Sequence, residues 1–178
     1  MYWRQQGFDV TAFWYNPNIH PFMEHEQRRE AMESFAQRES IPFIVAPGYD
    51  LEKYFRAVAG HETDRCPDCY RLRLDATAAY AANGFDVFTS SLLISHRQQH
   101  DRIIEAACAA EASSGVRFEY ADLRKRYSDS RCMTKPLELY RQQYCGCLYS
   151  EYERFGHDSE LLAVNSGAQT TRDDLTED

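Results

Sequence analysis

Short runs of β-branched and aromatic residues alternate along this chain with longer helical patterns, and that alternation restricts it to a mixed α/β fold. Residues 9–15 form the first such run and end at the turn-forming Asn16-Pro17-Asn18. Residues 22–39 are charge-rich, with Met32, Phe35 and Ala36 on one face, the pattern of a helix covering a sheet. Pro42 leads into a strand over 43–46, and Asp50 is placed to N-cap a helix over 51–59. Pro67 suits the first turn of a helix that carries Leu72, Leu74, Ala76, Ala78 and Ala79 and stops at Asn83-Gly84. A strand over 87–93, a helix over 97–112, a strand over 116–120, a polar basic loop over 122–130 and a helix over 137–144 complete the pattern.

The parsimonious architecture is one open, mostly parallel sheet with helices on both faces, a Rossmann-like α/β domain over residues 1–155. In such sheets ligands bind beyond the carboxyl ends of the strands, so segments 15–21, 90–96 and 121–126 are expected on one rim. Residues 1–6 read as the end of a helix running into Gly7, whereas a domain of this kind opens on a strand. The pattern therefore predicts a first strand, its loop and most of a helix upstream of Met1.

The net charge of −8 argues against generic electrostatic binding to nucleic acid. It is unevenly spread: residues 156–178 hold six acids and one base, so only −3 belongs to 1–155. That segment, rich in Ser, Thr, Gly and acids, is expected to be a disordered tail apart from the apolar run 161–164. No stretch approaches the roughly 18 apolar residues of a membrane span, and the N-terminus lacks the apolar region of an export signal. The expected location is the cytoplasm, with no membrane partner.

Cytosolic thiols stay reduced, so closely spaced cysteines there point to metal or redox chemistry. Cys66-Pro67-Asp68-Cys69 is a CxxC at a helix start, where two thiolates can grip one tetrahedral ion or one edge of an iron–sulfur cluster. Cys145-Gly146-Cys147 can meet one metal or close into a strained, reducible disulfide. Three readings stay open: a four-thiolate zinc domain that binds a partner, a thiol–disulfide oxidoreductase working through Cys66 and Cys69, and a cluster enzyme. Cys108, among alanines, reads as a small buried hydrophobe, and Cys132 as incidental. His20 reads either as an acid or ligand at a strand end or as a turn residue bonded to backbone. Arg124, Lys125 and Arg126, followed by Tyr127, read either as a phosphate and base grip or as a solvated face.

Four blocks occur in order: Tyr15-Asn16-Pro17-Asn18-Ile19-His20-Pro21; Cys66 and Cys69 followed by Tyr70-Arg71-Leu72-Arg73-Leu74; Ser91-Leu92-Leu93-Ile94-Ser95; and Tyr140-Arg141 with Tyr144-Cys145-Gly146-Cys147. Through them the chain resembles the QueH-type epoxyqueuosine reductases over about residues 7–150. The resemblance implies reductive removal of the epoxide oxygen of epoxyqueuosine in tRNA, the last step of queuosine synthesis. It implies a [4Fe–4S] cluster with Cys66 and Cys69 as ligands, a second mononuclear metal (iron or zinc), and Cys145 and Cys147 as a redox-active pair. It also makes His20 a catalytic candidate, and Asn16, Asn18, Tyr70 and Arg71 pocket candidates beside Arg124, Lys125 and Arg126. The implied partners are tRNA with epoxyqueuosine at its wobble position and an electron donor. The other two cluster ligands, a Cys-Cys pair after the first strand, are expected upstream of Met1. On that expectation the chain as it stands lacks half of its cluster ligands.

Overall fold

The computed structural model describes residues 1–156, and the segment expected as a tail lies, from residue 157 on, outside the described residues. A short helix α1 (Tyr2–Gln5) runs into Gly7, whose φ of +89° lets the chain reverse there. Strand β1 (Ala12–Trp14), helix α2 (Phe22–Arg38), strand β2 (Phe43–Val45) and helix α3 (Leu51–Val58) follow. Helix α4 (Cys66–Ala81) then leads to β3 (Val87–Phe88), α5 (His100–Ser114), β4 (Arg117–Phe118) and α6 (Tyr127–Thr134). A final helix, α7, covers residues 148–156.

The fold is mixed α/β with parallel strand pairing, as the alternating pattern predicts, but among the described residues the strands fall into two small sheets and not one. β1 pairs with β2, placing Phe13 opposite Ile44, and β3 pairs with β4, placing Val87 opposite Arg117, in separate two-stranded sheets. A parallel sheet is continuous only where each strand finds a partner on both edges, and among the described residues no strand joins β1 to β3. The two units are tied instead through α4: the Phe13 ring stacks on Tyr80 at 4.5 Å, and Arg73 Nη2 donates to Asn16 Oδ1 at 2.7 Å.

Helix α4 is the organising element because it presents different faces to two cores. Tyr70, Leu74, Ala78 and Ala81 pack with Ile103, Ala107 and Ala110 of α5 and with Phe88, Leu92, Leu93, Val116 and Leu123. The small alanines on both helices permit close approach, and Leu74 and Ile103 fill the space between them. Its other face sends Cys69 into a second cluster with Tyr54 and Val58 of α3 and Cys147. One helix thus carries a core residue and a site residue side by side, Tyr70 and Cys69.

Several local readings change. The 87–93 strand stops at Phe88 because Ser90 caps a 3₁₀ turn, its Oγ accepting from Leu92 N at 3.2 Å. The loop expected over 122–130 is instead a 3₁₀ turn (Arg124–Arg126) followed by α6. The helix expected over 137–144 is absent: apart from the 3₁₀ turn Lys135–Leu137, residues 138–147 are irregular, with the Tyr144 and Cys145 carbonyls bonded to Arg28 rather than within a helix. Asp50 does not cap α3 through its side chain; its carboxylate accepts from Tyr15 at 2.8 Å. Cys108 is exposed and not a core residue, since it falls on the outer face of α5 between inward Ala107 and Ala110.

Candidate functional site

Pro67 and Asp68 open helix α4 as an N-terminal first turn should, with a fixed backbone angle and an acid against the positive helix end. That turn places Cys66 and Cys69 one turn apart on the same edge. Cys66 is half-buried and Cys69 is 8% exposed. Burial pushes the Cys69 thiol up to about 12 and raises that of Cys66, with Cys145 and Cys147 adding repulsion against ionisation of both. Left alone, both are neutral thiols; a bound cation would displace their protons.

The Cys145-Gly146-Cys147 segment lies against this turn, so the two cysteine motifs, far apart in sequence, form one site. Its two sulfurs have different surroundings. Cys145 is exposed, with Gln98 Nε2 donating to its Sγ at 3.3 Å. Gln98 is in turn held by Tyr70, whose hydroxyl donates to Oε1 at 2.7 Å. Cys147 is buried, and Arg65 Nε and Ser150 N each donate to its Sγ at 3.4 Å. Burial opposes ionisation of Cys147, but the bonds from Ser150, Arg65 and Tyr54 outweigh it and bring its thiol below the ordinary range. Arg65 is itself fixed by Glu153 at 2.8 Å and by the Tyr149 ring at 4.9 Å.

The loop after β1 clamps the same segment from the other side. His20 N donates to Gly146 O at 2.8 Å, and Tyr144 donates its hydroxyl to His20 O. The His20 ring is 2% exposed and stacks on Phe55 at 4.9 Å. Its Nε2 lies 3.0 Å from Pro17 O, and Leu148 N donates to its Nδ1 at 3.4 Å, which puts the proton on Nε2. Burial lowers its pKa, so the ring is neutral near pH 7. Both nitrogens are occupied by backbone, the turn-residue arrangement. Asn18 is 2% exposed and its Oδ1 has no partner among the described residues. Gly146 has φ +144°, and a Cβ there would sit 3.1 Å from Ile19 Cγ1 and 3.2 Å from Asn18 Nδ2.

The remaining candidates are placed as follows. Asn16 accepts from Arg73, and Arg71 pairs with the buried Asp68, which also meets His61 Nδ1 at 2.9 Å. Arg124 is neutralised by Asp122, whose carboxyl its guanidinium holds well below the usual range. Lys125 is exposed, and Arg126 lies over the Tyr2 ring at 4.9 Å. No hydrogen bond joins these three residues to the cysteines. Among the described residues, no group of three or more His, Cys, Asp and Glu is arranged to hold a metal ion, so a closed zinc site of Cys66, Cys69, Cys145 and Cys147 is not assembled. Cys66 and Cys69, one turn apart at the start of α4, are a donor pair of the kind that takes one edge of a cluster. Sequence reasoning missed Arg28, Arg65, Tyr54 and Gln98. Arg65 stands next to Cys66 and could have been suspected, whereas Arg28 meets the Tyr144 and Cys145 carbonyls across 116 and 117 residues and gave no local signal.

The family model for epoxyqueuosine reductase QueH matches residues 1–153. The epoxyqueuosine reductase QueH of Dehalococcoides mccartyi is 57% identical over 159 residues, which cover 87% of this chain and 86% of that protein. That of Acinetobacter baylyi is 39% identical over 154 residues, 81% of this chain and 70% of that protein. That of Thermotoga maritima is 33% identical over 163 residues, 86% of this chain and 85% of that protein.

Proposed function

The chain belongs to the epoxyqueuosine reductase QueH family, and from that premise we propose that it removes the epoxide oxygen of epoxyqueuosine in tRNA to give queuosine. The reaction takes an electron pair and a pair of protons, turns the epoxide into an alkene and releases the oxygen as water. The observation that carries the reading is that Cys69 and Cys147 share one buried cluster at the first turn of α4, where Cys66 also lies, with Cys145 tied to the same helix through Gln98 and Tyr70.

In this reading Cys66 and Cys69 are cluster ligands, with a further cysteine pair completing the set. Cys66 and Cys69 would hold one edge of a [4Fe–4S] cluster, which would supply electrons singly when bound, and a second mononuclear metal, iron or zinc, would offer a Lewis acid for the leaving oxygen. Cys145 and Cys147 take an electron pair from an external donor as a disulfide opens to two thiols. Cys145 is the sulfur a donor can reach, because it is exposed and Cys147 is buried. Asn16 and Asn18 border the pocket for the modified base, and the orphaned Asn18 Oδ1 suits a hydroxyl or amine of that base. Arg71 is an exposed cation held by Asp68 in the first turns of α4, and Tyr70 holds Gln98 against Cys145. His20 orients the Cys145–Cys147 segment. Lys125 and Arg126, with Arg124 offset by Asp122, offer contacts to the tRNA backbone outside the pocket. The chemistry belongs in the cytoplasm, where tRNA and reduced thiols coexist.

Anaerobic purification tests this against its rivals. Broad visible absorption with bound iron supports the cluster. Stoichiometric zinc with no iron would favour a zinc domain, and a metal-free, reducible Cys66–Cys69 pair would favour a thiol oxidoreductase.

A further inference from the structure

Arg28 is a buried cation far from every sequence motif, with 7% of its side chain exposed. Its Nε bonds Glu24 at 2.7 Å, one turn earlier on α2. The rest of the guanidinium is directed at the irregular segment before Cys147. Nη1 donates to Cys145 O at 3.0 Å and to Gln142 Oε1 at 3.1 Å, and Nη2 donates to Tyr144 O at 3.2 Å. The guanidinium also lies 5.0 Å from the Tyr144 ring centre, and a Cβ on Gly146 would come within 3.4 Å of Nη1. A planar, always charged fork suits this bridging of successive carbonyls; an ammonium would reach only one of them.

We infer that Arg28 is a positioning residue that holds the Cys145–Cys147 segment in its dithiol arrangement, and this rests on reading that pair as redox-active. With Arg28 in place, Cys145 faces outward to Gln98 and Cys147 inward to Arg65 and Ser150. Forming a disulfide brings the sulfurs to about 2 Å. In this inference the backbone at Gly146 turns to bring them there, and the Cys145 carbonyl turns away from Arg28 with it. Each bond that is lost raises the free energy of the disulfide relative to the dithiol.

The test is a thiol–disulfide equilibrium. The protein is equilibrated with mixtures of reduced and oxidised glutathione, whose potential lies in the range of strained, reducible disulfides, thiols are trapped by alkylation, and the peptide bearing Cys145 and Cys147 is quantified. Oxidation forms the Cys145–Cys147 bond, and the electron pair and both protons pass to the reagent. Arg28→Gln is expected to shift the equilibrium at least tenfold toward the disulfide, and Arg28→Lys by a smaller factor. Arg29→Gln, on the same helix but paired with Glu26 and Glu33, should stay within twofold of the parent. A twofold or smaller change for Arg28→Gln, or a shift toward the dithiol, overturns the inference. Should Arg28→Gln fail to fold, Arg28→Lys decides, and equality with the parent overturns it. A parent protein that forms no disulfide in any mixture refutes the redox pair itself, a result distinct from failure of Arg28's role.

Discussion

At the scale of single residues, the site depends on a few side chains whose surroundings differ from their sequence appearance. Gly146 is both at a backbone angle that L residues rarely adopt and in contact with Ile19, Asn18 and Arg28. Gly146→Ala should therefore cost about 1–3 kcal/mol, measured as a lower urea midpoint with unchanged slope; an unchanged midpoint would mean the segment relaxes freely. The cysteines separate in the same way. In a protein that carries the further cysteine pair proposed above, Cys66→Ala and Cys69→Ala should each abolish iron incorporation and visible absorption, whereas Cys108→Ala, on the exposed face of α5, should change iron content not at all and stability by less than about 0.5 kcal/mol. Retained iron in either of the first two variants would remove them as ligands. The motif cysteines could be read from spacing alone. The exposure of Cys108 could not, because alanine neighbours suit a buried face and a solvent face equally well.

At the scale of elements, α2, β2 and α4 were legible because each carries its own signal, a long charge-rich run, an aromatic and β-branched triplet after Pro42, and a Pro at the first turn. The segment over 138–147 was not, because its conformation is set by Arg28, His20 and Tyr144 acting across the chain. His20, in the loop between β1 and α2, and His25, in the first turn of α2, supply a pH test of this region. Burial lowers the pKa of His20, and burial also lowers that of His25, which accepts from the Trp14 indole at 2.9 Å and lies beside Glu26 and Arg29. Both are neutral in the fold, while the unfolded chain binds their protons near the ordinary value of 6.5. The unfolded state therefore holds more protons below about that pH, and stability falls as pH drops from 6.5 through the lowered folded values. Melting temperatures from pH 7.5 to 5.5 should decline, and His20→Asn together with His25→Gln should flatten the decline about these values. A decline of the same size in the double variant would place its origin elsewhere.

At the scale of the whole molecule, α4 joins two cores and two separate parallel sheets, and the cysteine site lies where its first turn meets the irregular segment. Strand and helix alternation gave the α/β class, but sheet continuity is a property of pairing partners and cannot be read from the runs themselves. The pairing of motifs across the chain was suggested by cysteine chemistry, in the four-thiolate reading, and by the four-block resemblance, because nothing in local periodicity says that Cys145 lies near Cys66. Among the described residues no helix is long and apolar enough to cross a membrane. The central claim is that these cysteines reduce epoxyqueuosine in tRNA. The direct measurement is nucleoside mass spectrometry on epoxyqueuosine-containing tRNA incubated anaerobically with the iron-loaded protein and a reductant, beside the Cys69→Ala and Cys147→Ala variants. The account predicts conversion to a nucleoside lighter by one oxygen atom with the parent protein and none with either variant. Conversion undiminished in both variants, or a fully iron-loaded parent that binds the tRNA and leaves the epoxide intact, would contradict it.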